Sequence, residues 1–159
     1  MVYSVGPFEA GDEEETNDVS DSRETDPAAR EHPNATAYRR TADAFRARDL
    51  AALAALFDPD AVWHIPGQSF RAGEIRGLEA IIALLRGLPA GFTIREHDVL
   101  GNDEHVVALS HIGVLRPDLE LETRVVNVFH FRDGRQVERW FYPDDADVWD
   151  RIFGLPAYR

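Results

Sequence analysis

Between Leu121 and Tyr142 the chain reads LETRVVNVFHFRDGRQVERWFY, two arms rich in Val, Phe, Trp and Tyr around Arg132-Asp133-Gly134-Arg135. Asp-Gly supplies the positive-φ positions of a tight two-residue turn, so the pattern predicts an antiparallel β-hairpin and excludes an all-helical fold. One amide, Asn127, interrupts the apolar first arm at a position where burial is expected. A buried amide left unpaired costs about 1–3 kcal/mol, so Asn127 must meet either a core partner or a ligand oxygen.

Side chains alternate across a strand, which sorts the hairpin into two faces. Val125, Asn127, Phe129 and Phe131 share one face of the first arm, and Val126, Val128 and His130 the other. On the return arm Glu138, Trp140 and Tyr142 lie together, opposite Val137, Arg139 and Phe141. With Asn127 directed inward, this reading puts Trp140 and Tyr142 beside it on a pocket wall. The Val126, Val128, His130 row is left on the outer face.

The remaining chain supplies elements to pack on that hairpin. Asn34 is the expected N-cap of a helix to about Arg48, with Ala37, Tyr38, Thr41, Ala44 and Phe45 at helical spacing. Asp49 caps a short second helix that Asp58-Pro59-Asp60 ends, and Ala61 to Ile65 reads as a strand stopped by Pro66-Gly67. A loop through Gly73 leads to a third helix, about Leu78 to Leu88, with Leu78, Ile81, Ile82, Leu85 and Leu88 as its apolar stripe. Phe92 to Leu100 and His105 to Arg116 read as long strands. Pro143-Asp144-Asp145 opens a last helix with Val148, Trp149, Ile152 and Phe153 on one face. The order of elements predicts an α+β fold. A curved mixed or antiparallel sheet would wrap around three N-terminal helices as a cone-shaped barrel, with a short C-terminal helix.

Charge divides the chain in two. Residues 1–33 hold ten acids and two arginines, and the rest holds 19 acids and 15 arginines, with no lysine anywhere. The first segment is too polar and too acidic to offset its ordering entropy and reads as a disordered arm before a single domain, 34–159. A formal charge of −12 argues against nucleic acid as a partner. There is no cysteine for disulfide, thiolate-metal or thiol chemistry. No stretch has the length of a membrane span and no signal peptide is evident, so a cytoplasmic location is expected. The six histidines form no metal-binding spacing within one element, and neither metal nor cofactor is expected.

The phrases FRARDLAALAALFDPDAVWHIPG, GEIRGLEAIIALL, VVNVFHFRDGRQVERWFYPDD and DVWDRIFG, in this order, resemble the nuclear transport factor 2-like superfamily, in particular its SnoaL-like and ketosteroid-isomerase-like branch. The resemblance spans about residues 36 to 154. It implies the cone-shaped fold, an apolar pocket for a hydrophobic small molecule, and a homodimer through the sheet face. It does not select a reaction, because the superfamily hosts isomerases, dehydratases, epoxide hydrolases, cyclases and binders. Where isomerase members carry a catalytic tyrosine, this chain has Thr41. The general-base position falls on Ile65, with His64 beside it, and the proton-donating aspartate falls on Asn127. A steroid isomerase mechanism of that kind therefore lacks its base. The acidic residue of SnoaL-like cyclases falls near Phe141, with Asp144 and Asp145 shortly after.

Within that frame His64 is the expected proton-transfer group, having an unperturbed pKa that suits neutral pH. Strand alternation would instead send it outward beside an inward Trp63 and Ile65, and the Pro66 turn leaves that parity open. Asn127 and Tyr142 would polarise an oxygen. Trp63, Phe70, Phe129, Trp140, Thr41 and His111 would contact the ligand, although only one of Ser110 and His111 can face it. Asp144 and Asp145 read more simply as helix caps, and Glu138 as a rim residue. Two functions stay open: a cofactor-free acid–base enzyme acting on a hydrophobic carbonyl, epoxide or polyketide-like compound, and a non-catalytic ligand-binding or dimerisation module.

Overall fold

The computed structural model describes residues 31–154, so the acidic arm expected at 1–33 lies almost wholly outside the described residues. Helix α1, Pro33–Arg46, starts one residue before the expected cap. Pro33 occupies the first turn, where its missing N–H costs nothing, and the His32 ring accepts the Asn34 amide at 3.2 Å. Asp49 does cap α2, Leu50–Leu56, by accepting from the Ala52 amide at 2.9 Å.

Strand β1 is Phe57–Ile65, four residues longer at its start than the sequence suggests. Asp58-Pro59-Asp60 sits inside it because the pairing with β6 is irregular between Phe57 and Val62, so Pro59 owes the ladder no N–H. Strand β2, Gly73–Arg76, was hidden in a predicted loop. It is four residues long and mostly exposed, so it carries no alternating apolar signal. Helix α3 is Leu78–Arg86. Long strands follow: β3 Phe92–Gly101, β4 His105–Arg116, β5 Leu119–Arg132 and β6 Arg135–Pro143. Asp145 caps the last helix, α4 Ala146–Phe153, by accepting from the Val148 amide at 2.9 Å.

The six strands form one mixed sheet in the order β2-β1-β6-β5-β4-β3. Only the β1–β6 pairing is parallel. The sheet curls over the helices without closing, so the architecture is the expected cone with two open edges rather than a barrel. One core cluster joins β1 and the central strands to α2, α3 and α4 around Phe57, Trp63, Ile81, Phe141 and Trp149. A second, with Tyr38, Val106, Phe129 and Phe131, lies under α1.

The hairpin turn is as expected: Asp133 at φ 52° and Gly134 at φ 73° join the paired Arg132 and Arg135. Beyond it the register departs from a regular hairpin. Phe131 pairs with Gln136 but His130 pairs with Glu138, so Val137 is an extra residue in β6. This bulge sets Asn127 opposite Phe141, where an unbroken ladder would set it opposite Trp140. One residue of slip exchanges the two faces of a strand, and β6 is therefore inverted relative to the sequence reading. A second bulge interrupts β3 between Glu96 and Asp98.

Candidate functional site

A cavity opens between the concave face of the sheet and the four helices. Its wall is apolar through Phe45, Leu53, Phe57, Ile65, Leu85, Ile112 and Phe153. The cavity volume is about 70 Å³, room for several waters or a small organic molecule.

Its polar groups come from residues close to the two bulges. Arg139 follows the β6 bulge by two residues, in an inward row with Phe129 and Val106; the neighbouring inward row holds Phe141, Asn127 and Ala108. The guanidinium lies over three aromatic faces, its carbon 4.0 Å from the Phe141 centroid, 4.6 Å from Trp63 and 4.7 Å from Phe129. Its Nη2 donates to Asn127 Oδ1 at 2.7 Å. Burial pushes the Arg139 pKa down to about 10, with the negative potential of Tyr38 and Glu96 acting in the opposite direction. It remains a cation at neutral pH.

Across the cavity, Glu96 flanks the β3 bulge. Its Oε1 accepts from the Tyr38 hydroxyl at 3.1 Å and its Oε2 from Arg46 at 3.0 Å. Burial raises the Tyr38 pKa above its usual value, with the Glu96 charge adding to the rise and Arg139 opposing it, so Tyr38 stays a neutral donor. Among the described residues lining the cavity, Glu96 is the one carboxylate and Arg139 the one guanidinium. Three buried polar atoms of this wall have no hydrogen-bond partner among the described residues: Trp63 Nε1, Gln136 Oε1 and Arg139 Nε. Native interiors rarely leave such atoms unpaired, and three on one small cavity mark a place built to bind something polar.

The residues expected from sequence divide between the two sides of the sheet. Trp63, Phe129 and Thr41 line the cavity, although the Thr41 hydroxyl is committed to the Ala37 carbonyl at 3.2 Å. Asn127 is fully buried one layer behind the wall. Its amide nitrogen reaches Ser110 Oγ at 3.2 Å and the Ala108 carbonyl at 3.3 Å, and its oxygen holds Arg139, so it positions that residue rather than facing a ligand.

Trp140 and Tyr142 lie on the outer face with Tyr142 exposed, a consequence of the β6 bulge. His64 is outside as well, as strand alternation allows, because Trp63 and Ile65 take the inward positions. It stacks on Trp140 with ring centroids 5.0 Å apart and donates to Glu138 at 2.7 Å. Ser110, not His111, turns inward, and His111 meets Glu122 on the outer side at 2.9 Å. Phe70 is exposed in the β1–β2 loop against Arg71 and does not line the cavity. Asp144 ties Thr123 and Arg124 together, which lowers its pKa through those hydrogen bonds, and Asp145 caps α4. Among the described residues no group of three or more His, Cys, Asp or Glu side chains is placed to hold a metal ion.

Residues 38–139 match the family model described as a SnoaL-like domain. The chain belongs to the SnoaL-like family. An uncharacterised protein of Mycobacterium tuberculosis is 33% identical over 114 residues, covering 68% of this chain and 87% of that protein. Among solved structures, Bal32a from a soil-derived mobile gene cassette is 31% identical with a TM-score of 0.69, over 77% of this chain and 97% of that one. TerC, co-crystallised with polyporic acid, superposes with a TM-score of 0.66 at 18% identity, over 77% and 98% of the two chains. An M. tuberculosis LEH-like epoxide hydrolase superposes with a TM-score of 0.60 at 21% identity, over 76% and 89%. The last two share the fold of this SnoaL-like domain.

Sequence reasoning missed Arg139, Glu96, Tyr38 and Gln136 as cavity residues. Tyr38 was legible as core from its helical spacing. Arg139 required the β6 bulge, for which Val137 gives no local signal, whereas Gln136 precedes the bulge opposite the inward Phe131 and its parity already placed it inside. Glu96 sits beside a second bulge in a strand whose alternation is interrupted there.

Proposed function

We propose that this SnoaL-like domain takes a mostly apolar small molecule into its cavity and performs cofactor-free acid–base chemistry on it. The observation that carries this reading is a half-buried guanidinium, its Nε sealed from solvent, on an apolar cavity whose lining among the described residues also holds a single carboxylate. Arg139, with the Trp63 N–H nearby, would stabilise negative charge developing on a ligand oxygen, as in enolisation, dehydration or epoxide opening. Glu96 would accept or return the proton, with Tyr38 holding its carboxylate in place. Asn127 acts as a positioning residue through its bond to Arg139. In place of His64 and Tyr142, the roles pass to Glu96 and Arg139.

A non-catalytic binding module is the second reading. It is supported by Glu96 having both oxygens already engaged, by Tyr38 and by Arg46. The two readings separate in one assay, exchange of the α-protons of 1-indanone in deuterium oxide, followed by proton NMR. The enzyme reading expects acceleration by the wild type and a loss of about 10²–10⁴ in Glu96→Gln. Binding of indanone without any acceleration would leave the module reading.

Dimerisation through the outer sheet face belongs to the same proposal. There Val107, Val128 and Trp140 form one cross-strand row and Leu109, Val126 and Tyr142 a second. His105, His130 and Glu138 border them on one side. An apolar centre with a polar border is the pattern of an isologous contact. Among the described residues no helix is long and apolar enough to cross a membrane; a cytoplasmic site of action is part of the proposal.

A further inference from the structure

We infer that the ligand of this cavity is an anion that presents one planar oxyanion, such as a carboxylate or an ionised enol, on a flat apolar ring system. The inference rests on the cavity being the binding site and adds the charge and shape of what binds.

The first argument is ion pairing. Glu96 is paired with Arg46 at 3.0 Å, Arg46 is shared with Asp43 at 2.6 Å, and the second Glu96 oxygen is held by a neutral phenol. No carboxylate among the described residues forms an ion pair with Arg139, whose one hydrogen-bonded partner is the amide oxygen of Asn127. A cation held among aromatic rings without a directly paired carboxylate is costly, and the ring faces return only part of that cost. An oxyanion on the ligand would give Arg139 the direct ion-pair partner that no carboxylate of the described residues supplies.

The second argument is geometric. Arg139 Nε and Trp63 Nε1 are both buried N–H donors without partners, and the guanidinium carbon lies 4.6 Å from the Trp63 ring. Unpaired N–H donors on one wall call for an acceptor, and the planar fork of the guanidinium fits a planar oxyanion. The surrounding Phe129, Phe141 and Trp63 faces would hold a flat ring beside it.

The third argument is the approach. A groove outside the cavity shares Phe45, Leu53, Leu85, Leu88, Phe92 and Ile94 with it. The groove is lined by Arg46, Arg48 and Arg86, with no acidic residue in its lining. On a chain with a formal charge of −12 this is a local inversion of sign, and it would concentrate anions at the mouth.

The test is calorimetric titration of the full chain with three isosteric pairs: benzoate and benzamide, 2-naphthoate and 2-naphthamide, cyclohexanecarboxylate and its amide. The wild type should bind the better-fitting aromatic anions at least about tenfold more tightly than their amides. Arg139→Met should abolish that preference while still binding the amides. Arg139→Lys keeps the charge but loses the fork, so it should retain a reduced preference and guards against a folding failure of the Met variant. The preference should persist between about 50 and about 300 mM salt, because a buried pair is screened little. Equal binding of anion and amide by the wild type overturns the inference and leaves the cavity reading standing. Anion preference that persists in Arg139→Met, or that salt removes, marks capture by the outer arginines and also overturns it. Failure of every compound to bind at millimolar concentration overturns the cavity reading and this inference together.

Discussion

Arg139→Met should remove the cavity's cation at little or no cost to the fold. Burial lowers the Arg139 pKa from the ordinary guanidinium value to about 10, a difference equivalent to about 3 kcal/mol against the charged native state. The sign follows from proton binding. A base whose folded pKa is depressed binds fewer protons when folded, so the penalty is fully present below about pH 10 and fades as pH rises towards the ordinary guanidinium value. Replacing the guanidinium by a thioether removes that penalty and keeps contact with the three rings. Against it stands Asn127 Oδ1, whose one hydrogen bond is to Arg139; unpaired, it costs about 1–3 kcal/mol. The net is between neutrality and about 2 kcal/mol of stabilisation, which buried ion-pair replacements elsewhere make reasonable. Adding Asn127→Leu removes the orphaned oxygen but also the donor to Ser110 Oγ and the Ala108 carbonyl, so the double variant should stay within about 1 kcal/mol of the single. Urea unfolding followed by circular dichroism reads both, provided the m-value is unchanged. A single variant destabilised by more than about 3 kcal/mol at constant m would refute the reasoning and make Arg139 a structural tie.

Further consequences can be checked with simple variants. His64→Phe keeps the stack on Trp140 and lies outside the cavity, so it should leave indanone exchange within about twofold of wild type; a loss of about a hundredfold would return the chemistry to His64. Asp150 accepts from the Gln68 and Ser69 amides at 2.8 and 3.0 Å, latching α4 to the β1–β2 loop. Asp150→Ala should therefore cost about 1–3 kcal/mol in urea unfolding. The Asp144 pKa is held below 3.8 by Thr123 and Arg124, so its contribution is present above that value and lost as pH falls through its lower folded pKa. Asp144→Asn should flatten the acid side of the stability profile, and an unchanged slope would show that those bonds carry no linkage. Sedimentation at micromolar concentration should find a dimer, and Val126→Glu should return it to monomer.

What the sequence conveyed, and what it did not, follows from where register is decided. The Asp133-Gly134 turn, the Asp49 and Asp145 caps and the limits of β4 are local, and each was legible from a few residues. The cone followed from the order of elements and the resemblance. The site depended on a non-local event. Phe131 and Gln136 pair as the turn dictates, yet Val137 bulges, and every residue after it changes face. That one slip moved Trp140 and Tyr142 out and brought Arg139 and Phe141 in. Asn127 was correctly read as buried and polar, but its partner could not be named while β6 was in the wrong register. His64 failed for a simpler reason, since alternation along β1 already favoured Trp63 and Ile65 as the inward pair.

The central claim is that ligands enter the cone and not the outer histidine-bearing face. Methyl-resolved NMR of the isoleucine- and valine-labelled chain, titrated with 1-indanone and with 2-naphthoate, tests it directly. Ile65, Ile94 and Ile112 line the cavity, and their methyl signals should shift with saturation and show contacts to ligand protons. Val107, Val126 and Val128 on the outer face should stay unmoved. Saturating shifts confined to those valines, with the three isoleucines unchanged, would contradict the account.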